Sequence, residues 1–116
     1  MTNNSISLVG RAGQDPKAFE FNGKKKVVFS LGVREHKTNE SGEQVASTMW
    51  VEVHAWNGIG DQVMSAISKG RQVTVEGRLA MNSFMSKTDT GEQIKKTVPI
   101  VRLSNFKISE SKSQSD

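Results

Sequence analysis

The stretch Thr48-Met49-Trp50-Val51-Glu52-Val53-His54-Ala55-Trp56 alternates strictly with period two. Met49, Val51, Val53 and Ala55 fall on one side, and Thr48, Trp50, Glu52, His54 and Trp56 on the other. Successive strand residues point to opposite faces, so this is a β-strand with one apolar face for a core. Its other face is polar apart from two indoles. Six residues at about 3.3 Å each place those indoles roughly 20 Å apart.

The flanking segments repeat the pattern. Residues 6–10 read as a first strand, followed by a turn at Asp15-Pro16. Residues 27–34 read as a second, with Val27, Phe29, Leu31 and Val33 inward and Val28, Ser30, Gly32 and Arg34 outward. The polar run 35–47 has nothing to pack and reads as a mobile connecting loop. After Trp56 the period changes: Ile59, Val63 and Ile67 predict a helix over 59–69, with Gly70 placed for a left-handed cap. Residues 72–79 read as a fourth strand burying Val73, Val75 and Leu79 and exposing Thr74, Glu76 and Arg78. Residues 82–95, with Asp89-Thr90-Gly91 at their centre, read as a long hairpin tip. Residues 96–108 read as a fifth strand, with Pro99 demanding an edge position or a bulge. No internal repeat is evident. Three strands, a helix and two strands predict an all-β fold: a five-stranded OB-fold Greek-key barrel with its helix between strands 3 and 4. The barrel is assigned to residues 1–108, and 109–116 to a short disordered polar tail.

The outward face carries the candidate chemistry. A ring held on a stiff sheet stacks on any unpaired base, because every base has a π-face, at roughly 1–3 kcal/mol per base. In a duplex those faces are already stacked on one another. Trp50 and Trp56 are the first candidates and Phe84, in the long hairpin, the third; His54, between the tryptophans, can stack or bond a phosphate. The structural alternatives are a barrel end or subunit interface for the tryptophans, and a contact back onto the barrel for Phe84. Phe19 and Phe21 share a face and can serve either way, whereas Phe29 and Phe106 read as core. The cations that would follow phosphates are Arg34, Lys37, Arg78, Lys87 and Lys96, with Lys95 beside them. The run Lys24-Lys25-Lys26, by itself, reads as a solvated turn. Basic residues interleaved with outward aromatics are the footprint of nucleic-acid binding.

Composition allows one domain and excludes several classes. The chain has 116 residues, a formal net charge of +4 and no cysteine, so disulfides, thiolate metal sites and thiol nucleophiles are out. A positive balance favours polyanions through counterion release. No apolar stretch reaches the roughly 18 residues a membrane helix needs, and the first residues carry no secretory pattern. His36 and His54 lack zinc-ligand spacing. No phosphate loop or G-x-S-x-G motif occurs. Gly58-Ile59-Gly60 resembles the start of a dinucleotide fingerprint, but Val63 holds its third glycine position and the chain is too short for two mononucleotide-binding halves. The expectation is a binding module, not an enzyme, with no cofactor and no metal, in the cytoplasm at the nucleoid.

Leu8-Val9-Gly10-Arg11 with Asp15-Pro16, Trp50 to Trp56 with Asn57, and Lys69-Gly70 leading to Glu76-Gly77-Arg78-Leu79 resemble the bacterial single-stranded DNA-binding protein (SSB) family over roughly residues 4–108. The resemblance implies an OB-fold homotetramer that binds and protects single-stranded DNA with little sequence preference in replication, recombination or repair. It places Trp50, Trp56 and Phe84 on base-stacking positions. Two features depart from the family. His36-Lys37 stands where many members carry another stacking aromatic, and the family's acidic tip ending in Pro-Phe has no counterpart in Ser-Gln-Ser-Asp116. The resemblance therefore does not extend to recruitment of repair and replication enzymes through such a tip. Two rivals share the fold: a primosomal replication-restart OB protein, usually dimeric, and an RNA-binding OB module of translation.

Overall fold

A computed structural model describes residues 3–109. Six strands and one helix follow one another as β1 (Ile6–Ala12), β2 (Lys17–Phe21), β3 (Lys24–Thr38), β4 (Gln44–Trp56), α1 (Asn57–Ala66), β5 (Gln72–Lys87) and β6 (Gln93–Ile108). The sheet order is β1-β5-β6-β4-β3-β2, and an additional β1–β3 pairing closes β1, β3, β4, β6 and β5 into a five-stranded barrel. This is the OB-fold arrangement, with the helix between the third and fourth barrel strands. The sixth strand, β2, continues the line of β1 along β3: β1 meets β3 at Gly32 and Leu31, and β2 meets it from Val28 to Lys24. The Asp15-Pro16 turn separates them, and Asp15 Oδ1 accepts the Lys69 N–H at 2.8 Å.

The core follows the alternation. Val27, Phe29, Leu31, Val53, Ala55, Val73, Val75, Val101 and Leu103 are buried together, and the helix adds Val63 and, just beyond its end, Ile67. Helix α1 begins and ends two to three residues earlier than the period suggests. Asn57 takes a left-handed φ of 54° and turns β4 directly into the helix, a conformation asparagine tolerates better than most residues. Ile67 is already extended, with φ −104° and ψ 133°. Gly70 is therefore not the helix cap; at φ 86° it sits inside a separate turn closed by Arg71 N–H to Ser68 O at 3.0 Å. Gly60 is buried, and a Cβ there would stand 3.0 Å from both the Ala55 carbonyl oxygen and Val27. That glycine lets the helix lie close on the sheet, which explains the Gly58-Ile59-Gly60 sequence without a nucleotide.

The two polar segments are strands, not loops. β3 and β4 stay paired out to Thr38 and Gln44, and β5 and β6 out to Lys87 and Gln93. The parallel β4–β6 pairing begins only at Glu52 and Ile100. Residues 44–51 and 93–99 thus separate into two antiparallel ribbons leaving the same end of the barrel. Each ends in the same turn: Asn39 N–H to Glu43 O and Gly42 N–H to Asn39 O in one, Thr88 N–H to Glu92 O and Gly91 N–H to Thr88 O in the other. In both, the first residue's side chain also accepts the fifth residue's N–H, through Asn39 Oδ1 at 2.9 Å and Thr88 Oγ1 at 3.2 Å. Ribbons with solvent on both faces need no apolar alternation, so period two is silent there.

Two core assignments are corrected. Leu79, expected to be buried, is 50% exposed because β1 covers β5 only as far as Gly77. Met49 is likewise exposed, because it lies on the β3–β4 ribbon that has left the barrel. Pro99 stands one residue before β6 begins to pair with β4, so on that side it occupies an edge; the sheet's register irregularity lies instead at Glu76/Gly77. Ser109, assigned to a disordered tail, donates its N–H to Gln72 O at 3.1 Å; the rest of that tail, residues 110–116, lies outside the described residues.

Candidate nucleic-acid interface

Residues aligned across paired strands share a face. Register therefore maps the outward surface: Arg34 with Thr48, Gly32 with Trp50, Ser30 with Glu52, Val28 with His54 and Lys26 with Trp56. Pairing with β6 carries it on through Glu52 to Ile100 and His54 to Arg102, and β5 adds Arg78, Ala80 and Phe84 opposite Arg102, Ile100 and Lys96. One continuous face thus holds Trp50, Trp56, Phe84, Arg34, Arg78 and Lys96. Lys37 pairs with Val45 and Lys87 with Gln93. Both are one step out of phase with that face and occupy the reverse sides of their ribbons.

Trp50 is 62% exposed, yet its ring is seated. A Cβ on Gly32 would stand 2.9 Å from the indole, and one on Gly13 2.6 Å from it. Both distances are shorter than real carbon contacts, so the bare backbone at these two positions is the floor on which the ring rests. Any side chain there would lift it. Around the ring a groove of about 510 Å³ is lined by Arg11, Arg34, Thr48, Lys69 and Gln72 among others, within the size range of small-ligand sites. Arg11 is held at its edge by Gly70 O at 3.0 Å and Gln72 Oε1 at 3.3 Å.

Trp56 is half-buried at the other end of the strand. The Lys26 ammonium lies 5.6 Å from its ring centroid, a cation–π distance. A second groove, about 360 Å³, is lined by Trp56, Asn22, Lys24, Asn57 and Arg102. The lysine run is therefore divided by strand alternation. Lys24 lines the groove and Lys26 lies over the Trp56 ring, while Lys25 turns to the helix and binds Asp61 Oδ1 at 2.8 Å. The hydrogen bond and charge of Asp61 raise the Lys25 pKa above the ordinary lysine value, which keeps this cation charged and engaged away from the face.

His54 departs from expectation. It lies on the mapped face but is only 3% exposed, bonded through Nε2 to Glu52. Flanked by Val28 and Arg102 in register, it fills the sheet between the tryptophans and offers no open ring. Phe84 is 44% exposed beside Lys96 on the ribbon. Sequence reasoning missed Arg102, Arg11 and Lys69. Arg102 was reachable, since it alternates with the core residues Val101 and Leu103. Arg11 and Lys69 meet Trp50 only through the closure of the barrel.

Among the described residues no group of three His, Cys, Asp or Glu side chains could hold a metal ion, and no helix is long and apolar enough to cross a membrane. The mapped face presents Trp50, Trp56 and Phe84 with cations at their flanks, around a central Glu52–His54 pair.

Comparison with known proteins identifies relatives of this chain. The profile described as "Single-strand binding protein family" matches residues 3–108. Single-stranded DNA-binding protein 1 of Chlorobaculum tepidum is 35% identical over 82 residues, 70% of this chain and 51% of that protein. The single-stranded DNA-binding protein of Chlamydia caviae is 30% identical over 110 residues, 93% of this chain and 65% of its own. The mitochondrial single-stranded DNA-binding protein of Oryctolagus cuniculus is 30% identical over 98 residues, 78% and 66% of the two chains. The chain thus spans between half and two thirds of the length of these relatives. Among solved structures, the Plasmodium falciparum SSB in complex with ssDNA superposes with a TM-score of 0.77 at 26% identity, covering 95% of this chain and 97% of that one.

Proposed function

The chain belongs to the single-strand binding protein family, and on that premise we propose that it binds single-stranded DNA without sequence preference and catalyses no reaction. Bases stack on Trp50, Trp56 and Phe84. Phosphates between them meet Arg34, Lys24, Lys26, Arg102, Arg78 and Lys96. The observation that carries the reading is Trp50 itself: a large apolar ring left 62% exposed, yet seated against two glycines. A preorganised ring loses little freedom when a base arrives, so most of the stacking energy appears as affinity.

His54 and Glu52 support the sheet between the rings and take no direct part. The same proposal includes self-association, a tetramer as the family resemblance implies. Its physical support is the far edge of β1: among the described residues, 6–10 pair with β5 on one side, while on the other only Arg11 and Ala12 are paired, with β3. An unpaired strand edge is a template for a second chain.

Sedimentation velocity with fluorescently labelled DNA tests both parts. Labelled oligo-dT is expected to co-sediment with a species of tetramer mass, while an equal-length duplex sediments alone. Equal co-sedimentation of the duplex contradicts the reading. An RNA strand of the same length separates it from an RNA module, whose 2′-hydroxyl contacts would make RNA the tighter ligand.

A further inference from the structure

We propose that Phe19 forms an additional base-binding subsite, carrying single-stranded DNA off the barrel face across β2. The inference rests on the reading of the chain as a single-stranded DNA binder, and names where the strand goes beyond Trp56.

Phe19 pairs with Lys26, and Lys26 pairs with Trp56. The three side chains therefore form one row across β2, β3 and β4 on the outward face. Phe19 is 50% exposed and is not part of the hydrophobic core. Strands are spaced about 4.8 Å apart, so the two rings stand roughly 10 Å from each other. That is about three times the 3.4 Å spacing of stacked bases in a duplex strand, which suits a strand whose bases are splayed. Lys26 separates the two ring-bearing residues in register, and its ammonium lies over the Trp56 ring at 5.6 Å from the centroid.

Ring, cation, ring is the complement of base, phosphate, base. Lys17 extends the positive edge, because it lies on the same side of β2 as Phe19 and pairs with Val28. The row runs across the strands rather than along them. A nucleic acid leaving Trp56 along it passes over β2, beyond which no further strand lies in the sheet among the described residues. An apolar ring in the middle of a cationic edge is matched by an anionic polymer that carries apolar faces, and single-stranded DNA has that chemistry.

The test compares the full-length wild-type chain with Phe19→Ala and Phe19→Leu, using labelled oligo-dT of about 6 and about 16 nucleotides, which spans the usual site sizes of OB-folds. Loss of one stack corresponds to roughly five-fold or more in affinity. The long probe is expected to show that loss with both variants, and the short probe, which can sit on the tryptophans alone, a smaller one. Wild-type affinity of Phe19→Ala for the long probe overturns the subsite, and full rescue by leucine overturns stacking as its basis. If wild-type protein binds neither probe, it is the underlying reading that falls. An independent measurement needs no variant: photocrosslinking of 5-iododeoxyuridine DNA to the wild-type chain is expected to label Phe19 within the tryptic peptide 18–24. Labelling of tryptophan peptides without Phe19 would overturn the proposal even if the variants fail to fold.

Discussion

Replacing both indoles, Trp50→Ala together with Trp56→Ala, is expected to weaken single-stranded DNA binding by roughly 2–6 kcal/mol while the chain still folds. Each stacked base contributes roughly 1–3 kcal/mol. The two rings are far enough apart, roughly 20 Å along one strand, for their effects to add. Neither belongs to the buried core, so the usual cavity penalty for removing a large side chain does not arise. Trp50 rests on backbone at Gly13 and Gly32, and its loss uncovers little apolar surface. Trp56 loses its contact with Lys26, worth about 0.5–1 kcal/mol at an exposed site. Isothermal titration with oligo-dT, alongside a thermal melt of each variant, checks both halves of the expectation. A double variant that binds like wild type would remove stacking from the mechanism.

The second large effect is that of salt. The six cations proposed to meet phosphates are Arg34, Lys24, Lys26, Arg102, Arg78 and Lys96, and for a single strand the slope of log K against log salt is about −0.7 per phosphate. A tenfold rise in sodium chloride should therefore lower affinity by roughly a thousandfold or more. Arg102→Ala should flatten the slope by about one phosphate's share, because Arg102 lines the Trp56 groove. Lys25→Ala should leave the slope unchanged, since Lys25 is held by Asp61 on the helix side. Affinities measured across a salt series for the three proteins decide this. A flat wild-type plot would leave the cations without a role in binding.

The contrast between Lys25 and its neighbours shows what was legible in the chain and what was not. Period two in 27–34, 48–56 and 72–79 identified the strands, because one face must meet a core and the other water. The inward residues Val27, Phe29, Leu31, Val53 and Ala55 are buried as that pattern requires. The same alternation assigns Trp50 and Arg34 to the outward face. It failed where no core is involved. The ribbon arms 35–38 and 44–47 pair through backbone alone, and the only local sign of them is a turn with Asn39 and Gly42 at fixed positions, repeated at Thr88 and Gly91.

Burial of His54 was beyond local reading for a different reason. Its neighbour Arg102 is 48 positions away by numbering and arrives through a parallel pairing, which no periodicity announces. The glycine floor under Trp50 is likewise non-local, since Gly13 reaches the ring only because β1 closes the barrel against β3. Composition told of a polyanion, but only the register assigned Lys37 and Lys87 to the reverse sides of the ribbons.

The central claim is that unpaired bases lie directly on the two indoles. Because the chain has two tryptophans, Trp50→Phe and Trp56→Phe each leave one emitter, and fluorescence titration then reports on each ring separately. Saturating oligo-dT should quench the remaining indole strongly in both variants, and duplex DNA of the same length in neither. An indole whose emission is unchanged by bound single strand, in either variant, would contradict the account.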